Sequence, residues 1–210
     1  MTLTLFTALL TFAFATLITP GPNNLMLMSS GMNYGLKRTI PHLAGISTGF
    51  AVMLILVGIG IMQLFEKFPY GLLTLKIVCV IYLFWLAWKI ASATGLKTGP
   101  DQSLQGGRPL TLLQAALFQW VNPKAWTMQL TAISVYTPNP PHLSDILLVA
   151  GIFAAMVYPV NALWILLGQK LRPLLDNEKK MQTFNIACAI LLIASLYPIF
   201  LELVERFALR

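Results

Sequence analysis

The chain has 210 residues, 57% hydrophobic and only 10% charged, with a mean hydropathy of +0.75. Soluble domains carry about 25% charge, so this composition excludes a water-soluble fold, and it equally excludes disorder, which needs a polar, highly charged chain. The net charge of +7 comes from 14 Lys and Arg scattered between apolar blocks, a pattern of membrane topology rather than of nucleic-acid binding.

A membrane-spanning helix needs about 20 mostly apolar residues. Six stretches qualify, over residues 3–28, 43–64, 71–90, 110–136, 146–168 and 184–204. The first has a small-x-small sequence at Ala13-Phe14-Ala15, as a cleaved signal would, but no Lys or Arg precedes Lys37. A secretory signal requires a basic start, so the stretch is expected to stay as helix 1. It is interrupted at Thr19-Pro20-Gly21-Pro22-Asn23-Asn24. Two prolines remove backbone donors, Gly21 lets the chain leave helical geometry, and Asn23 and Asn24 can cap a helix restarting at Leu25. A plain proline kink is the alternative. Where a helix does break in lipid, the freed carbonyls must sit in protein or line a wet cavity.

Helix 2 carries Gly45 and Gly49, a small-xxx-small pair that suits close helix packing, and His42 falls at its start, where a surface position is expected, with a proton-sensing role as the alternative. Helix 3 holds Lys76 about 9 Å from its start at 1.5 Å per residue, close enough to snorkel. The segment 91–109, with Gly99, Pro100, Gly106, Gly107 and Pro109, reads as a polar linker too short for a soluble domain. Helix 4 is interrupted at Asn122-Pro123-Lys124, with Lys124 near the middle of the apolar run. A charge at that depth costs roughly 2.5–3.5 kcal/mol and usually faces a cavity or a partner. No Asp or Glu lies in a span core, which leaves Lys124 for an anionic ligand group, unless it snorkels. Helix 5 has Gly151 and Ala155 four apart, and Pro159 beside Asn161. Gln114, Gln119, Gln129, Thr131, Ser134 and Asn161 either line a path or cross-link helices. Trp85, Trp88, Trp164 and Tyr197 suit an interfacial belt. Cys79 and Cys188 have no metal spacing and read as small buried hydrophobes.

The loops after helices 1, 3 and 5 hold nine Lys and Arg, against three on the other side (Lys67, Arg206 and Arg210). The basic loops are expected to face the cytoplasm, leaving both termini outside. Six spans divide into two halves of three, and an odd number per half inverts the second, as in many secondary transporters. The expected fold is an all-α integral membrane protein of six transmembrane helices in two inverted three-helix repeats, with helices 1 and 4 broken. Residues 1–90 form the first half, 91–109 a cytoplasmic linker and 110–210 the second half of a single transporter domain.

The ordered set of Thr19-Pro20-Gly21-Pro22-Asn23-Asn24, Gly45 with Gly49, Tyr82 to Lys89, and Asn122-Pro123-Lys124-Ala125-Trp126 resembles the LysE/RhtB amino-acid exporter family over essentially the whole chain. The Pro-Gly-Pro-Asn-Asn start and the run from Leu117 to Asn122 look most like its cysteine and O-acetylserine exporters, although threonine, homoserine and leucine exporters share much of the pattern. The resemblance implies efflux from the bacterial cytoplasm across the inner membrane, driven by the proton gradient. The expected substrate-binding residues are Pro20, Gly21, Pro22, Asn23, Asn24, Asn122, Pro123 and Lys124, with no metal and no cofactor. The expected partners are an amino-acid substrate and the lipid bilayer, with a homodimer left open and no nucleic acid. The absence of acidic residues from the span cores argues against a basic amino acid as cargo. The competing classes are an uncoupled pore, a membrane-embedded enzyme and a structural or receptor subunit. An enzyme would need a nucleophile–base pair, paired carboxylates or a metal cluster at depth, and Lys124 among amides supplies none of these.

Overall fold

A computed structural model describes residues 1–61, 63, 68, 70–92, 108–175, 177–197, 199–201 and 204. Every regular element among them is helical. The core of the linker, 93–107, lies outside the described residues, as do Lys67, Arg206 and Arg210, which entered the charge count.

Helix α1, Leu3–Ile18, is capped by the Thr2 hydroxyl, which accepts from the Leu5 N–H at 3.3 Å. Its threonines turn their hydroxyls inward. Thr7, Thr11 and Thr16 donate to carbonyls three or four residues back at 2.7–2.9 Å, and Thr19 does the same to Ala15. A hydroxyl satisfied by its own helix can face lipid without an orphaned donor. The helix stops because Thr19 precedes Pro20, and the residue before proline is pushed out of helical geometry; Thr19 sits at ψ 136°.

Helix α2, Pro22–Gly58, restarts with proline at its first position behind an extended Gly21, where the missing N–H would have no partner anyway. A continuous helix of that length would reach about 55 Å, far beyond a 30 Å hydrocarbon core. It is not continuous. Gly35 has φ 75° and ψ 172°, and the Ser30 and Thr39 hydroxyls lie 2.9 Å apart. Nine residues along a straight helix would separate them by about 13.5 Å. The chain therefore folds back at Gly35, and α2 has two arms, 22–34 and 36–58. The second arm begins before the expected 43, so Lys37 and Arg38 lie on helix rather than in a loop. Pro41 lies inside the second arm, which continues through it.

Helix α3 is Gly71–Ala91. Helix α4, Leu112–Phe118, opens with a capping box between Thr111 and Gln114 and passes into a 3-10 turn at Gln119–Val121. Asn122 is extended before Pro123, repeating the logic of Thr19, and α5 then runs Pro123–Tyr136. Helix α6, Leu143–Leu171, continues through Pro159. Helix α7 is Glu178–Ala194, capped by Asn177.

Two apolar clusters hold these elements together. The larger joins α1, the second arm of α2, α5 and α6 around Phe50, Phe153, Met53 and Leu9. The smaller joins α3 and α7 to Leu25, Met26 and Met28 of the first arm and to Phe118. Both arms of α2 lie against α6. Gly31 and Gly168 permit the first contact: a Cβ on either would fall 2.1 Å from the Ile165 carbonyl or 1.9 Å from the Met28 carbonyl. The second arm runs antiparallel to α6, with Ser47 donating to the Ala154 carbonyl at 2.9 Å and Gly58 meeting Ile146 further along. Gly45 and Gly49 work as expected, seated on the backbone of α4 at Leu112 and Ala116. Gly151 and Ala155 do not. They are exposed, with nothing within 4 Å of a Cβ built on Gly151, and the small residue that α6 uses is Gly168. Outside the clusters, Ile81, Trp88, Leu113, Leu163 and Ile190 lie open on the helix faces, an apolar surface suited to lipid.

Candidate substrate site

The two helix breaks meet. The ammonium of Lys124, in the first turn of α5, donates to the carbonyls of Thr19 at 2.5 Å and Pro20 at 3.5 Å. These carbonyls have lost their helical donors, so the lysine satisfies what the prolines set free. Expected to await an anionic ligand, the ammonium instead rests on carbonyl oxygens. Gly21 makes the approach possible, since a Cβ there would stand 2.8 Å from the Lys124 Cδ and 3.3 Å from its Nζ.

The asparagines act differently from the expectation that they cap a restarting helix. Asn24 turns back and donates from Nδ2 to the carbonyls of Leu17 and Thr19, both at 2.8 Å, closing the end of α1 rather than the start of α2. Because α2 already restarts at Pro22, Asn24 is inside it and faces the carbonyls left behind. Asn23 crosses to the other break. Its amide pairs reciprocally with Gln119, Nδ2 to Oε1 at 2.9 Å and Nε2 to Oδ1 at 3.1 Å. Asn122 is the N-cap of α5, its Oδ1 accepting from the Lys124 N–H at 3.2 Å. Gln129 also cross-links, donating to the Phe50 carbonyl at 3.4 Å.

Two cavities flank the junction. The larger, about 540 Å³, lies between the breaks and the α3–α7 layer. Pro20, Gly21, Pro22, Pro123 and Lys124 line it together with the apolar Leu75, Cys79, Leu130 and Ile199, and Thr127 and Ser195 add hydroxyls. Lys76, expected to snorkel, lines this cavity half-buried. The smaller cavity, about 20 Å³, lies on the other side, bounded by Gly21, Asn23, Asn24, Asn122, Lys124, Ile46, Phe50 and Asn161. It holds about one water, whereas the larger one accommodates a whole amino acid. Lys124 and Gly21 line both. All eight expected site residues are thus gathered at one junction. Thr19, Gln119, Thr127 and Ser195 join them there; Thr19 opens the first interruption and Gln119 was visible as a polar residue in a span, while the hydroxyls of Thr127 and Ser195 carried no signal. His42, expected at the surface, is instead buried at 1% exposure in the second arm of α2, because that arm starts early enough to draw it into the helix bundle.

The family model for a LysE type translocator matches residues 14–195. A protein named cysteine/O-acetylserine efflux protein from Escherichia coli O139:H28 is 33% identical over 95% of this chain and 100% of its own length. The protein of that name from Escherichia coli (strain K12) shows the same identity and coverage. One from Klebsiella pneumoniae is 32% identical over 80% of this chain and 84% of its own. No solved structure matches. The chain belongs to the LysE-type translocator family and is a transporter, not an enzyme.

Proposed function

We propose that this LysE-type translocator is a secondary-active exporter of small neutral amino acids or their derivatives, of the cysteine/O-acetylserine type, working in the bacterial inner membrane. Its six spans form two inverted halves, 1–90 and 110–210, joined by a cytoplasmic linker at 91–109, with both termini outside. The contact of Lys124 with the Thr19 and Pro20 carbonyls, one break against the other, carries the assignment.

That contact is an ammonium resting on carbonyl oxygens, and a zwitterionic amino acid can enter it by exchange. The substrate carboxylate takes the Lys124 ammonium, and the substrate ammonium takes the carbonyls that the lysine leaves. Each charged group then keeps a partner of the right kind in a site poor in water, where an unpaired charge is costly. No buried carboxylate is required, in keeping with span cores that carry none. A cationic substrate would bring a second positive charge beside Lys124 without an anion to offset it. The side chain points toward Leu75, Cys79 and Leu130, with Thr127 and Ser195 available to a thiol, hydroxyl or ester.

Purified protein in liposomes, given radiolabelled cysteine, O-acetylserine, threonine, homoserine, leucine or lysine, tests this. Uphill movement of the neutral substrates that collapses with a protonophore is expected. Protonophore-insensitive flux that only dissipates gradients would make the protein a pore, and preferential movement of lysine would overturn the zwitterion exchange.

A further inference from the structure

Among the described residues, the buried polar atoms without a hydrogen-bond partner include both ring nitrogens of His42, Oδ1 of Asn161, Oε1 of Gln129 and Nε1 of Trp164. An orphaned buried polar atom is costly, and native structures hold few of them without a role or an unseen water. These four residues come from three elements that pack together, the second arm of α2, α5 and α6.

His42 and Asn161 are each 1% exposed. Asn161 lines the water-sized cavity, and its orphaned Oδ1 gives a water there an acceptor. His42 shares a buried helix face with Ile46 and Phe50, four and eight residues on, and both of these line the same cavity. One helical turn, about 6 Å, separates His42 from Ile46 along the axis. Lys124 closes the other side of that cavity and holds the junction of the breaks.

We propose that His42 is the proton-binding residue that couples export to the proton gradient, placed one helical turn from the water-sized cavity that Asn161 and Lys124 line. The proposal rests on the export function put forward above. The proton adds to the lone pair of the unprotonated ring nitrogen, giving an imidazolium, and leaves from that nitrogen to water on the cytoplasmic side. An imidazolium in the arrangement seen here would be a buried charge without a partner, so protonation favours a conformation that admits water to His42. Loss of the proton favours the closed arrangement. The charged and titratable side chains on the surrounding elements are Tyr34, Lys37 and Arg38 of α2, Lys124 and Tyr136 of α5, Asp145, Tyr158 and Lys170 of α6, and Glu178, Lys179, Lys180 and Cys188 of α7. None of them hydrogen-bonds His42, so the imidazole has no counter-ion to hold its charge in this state.

His42→Gln in proteoliposomes separates coupling from binding. Wild type is expected to exchange labelled for unlabelled cysteine without a gradient and to accumulate it about tenfold per proton under a gradient of one pH unit. The variant should keep exchange within about twofold and lose the accumulation. Accumulation unchanged in the variant, or loss of exchange and accumulation together in a folded variant, overturns the proposal. Wild type that exchanges nothing overturns the export function itself, and this proposal with it. A second measurement stands apart from folding of that variant. The chain has two histidines, and His142 is exposed and makes no side-chain cap bond. In ¹⁵N-histidine-labelled His142→Gln protein, the His42 ring signals should move from charged to neutral as pH rises, and substrate should displace that transition. Signals fixed in the neutral form throughout, with and without substrate, overturn it.

Discussion

At the scale of single residues, Lys124 does two things that substitution can separate. It supplies a positive charge, and it satisfies the Thr19 and Pro20 carbonyls. Lys124→Met keeps the length and loses both. Removing one partner from a buried charged pair costs about 2–5 kcal/mol, so apparent substrate affinity should fall at least about 30-fold, measured by exchange in proteoliposomes. Lys124→Arg keeps the charge, but a planar guanidinium does not fit where a compact ammonium sits on two carbonyls, and it should also fail. Wild-type exchange by Lys124→Met would remove the lysine from the site. Asn122 belongs to a different class. Its amide oxygen caps α5, and loss of a cap costs about 1 kcal/mol. Asn122→Ala should therefore lower thermal stability in detergent, while Asn122→Ser, which can still cap, should recover most of it. The residue types of the site were legible because prolines and a charge inside apolar runs are conspicuous. Their partners were not, since Asn23 finds Gln119 across 96 residues of sequence and no local pattern announces such a pairing.

At the scale of elements, the breaks were readable and the turn at Gly35 was not. Pro20, Pro22 and Pro123 each impose a geometric rule on the preceding residue, and Thr19 and Asn122 obey it with extended backbones. Gly35 lies beside Lys37 and Arg38, which suggested a loop, yet the chain reverses there without leaving room for one. Its φ of 75° with ψ of 172° belongs to a region open essentially to glycine alone. Gly35→Ala should cost about 1–3 kcal/mol, seen as a lower melting temperature with the cavity-lining residues untouched. The Asn23–Gln119 pair offers a sharper test at this scale. Either Asn23→Leu or Gln119→Leu strands a polar amide at the junction, at a cost of about 1–3 kcal/mol, whereas replacing both partners by apolar groups can be nearly neutral. The double variant should be more stable than the sum of the two singles implies. Simple additivity in thermal unfolding would mean the two amides do not depend on each other. The misplaced small pair on α6 has an equally physical reason. Small residues four apart occur by chance in apolar helices, and only a facing backbone gives them a use, as Met28 does for Gly168.

At the scale of the whole molecule, hydropathy carried the all-helical character and its long apolar helices, because lipid demands about 20 apolar residues per crossing. Three described helices are long and apolar enough to cross a membrane as single pieces, Pro22–Gly58, Leu73–Ala91 and Leu143–Leu174. The reversal at Gly35 divides the first of them, and the breaks at Thr19 and Asn122 divide two further stretches into helices too short to count alone. The ends of the bundle then sort themselves by contact. Tyr136 reaches the Ala8 carbonyl at 3.3 Å, and Gly58 meets Ile146, so the start of α1, the end of α5, the end of the second arm and the start of α6 share one end. Met28 against Gly168 marks the other, beside Lys37, Arg38 and Lys170. Basic residues gather on the cytoplasmic face of short-looped membrane proteins, so the proposed orientation predicts the Gly35 turn inside the cell and the 137–142 loop outside. The native cysteines are both buried, so an impermeant maleimide reports on introduced ones. Asn33→Cys, at an exposed position, should label only in inside-out vesicles, and His142→Cys, also exposed, only in right-side-out vesicles. The opposite pattern would invert the molecule, making the junction at Lys124 a site loaded from outside and the protein an importer. Labelling of both positions from the same side would break the count of spans between them, and with it the division into two inverted halves.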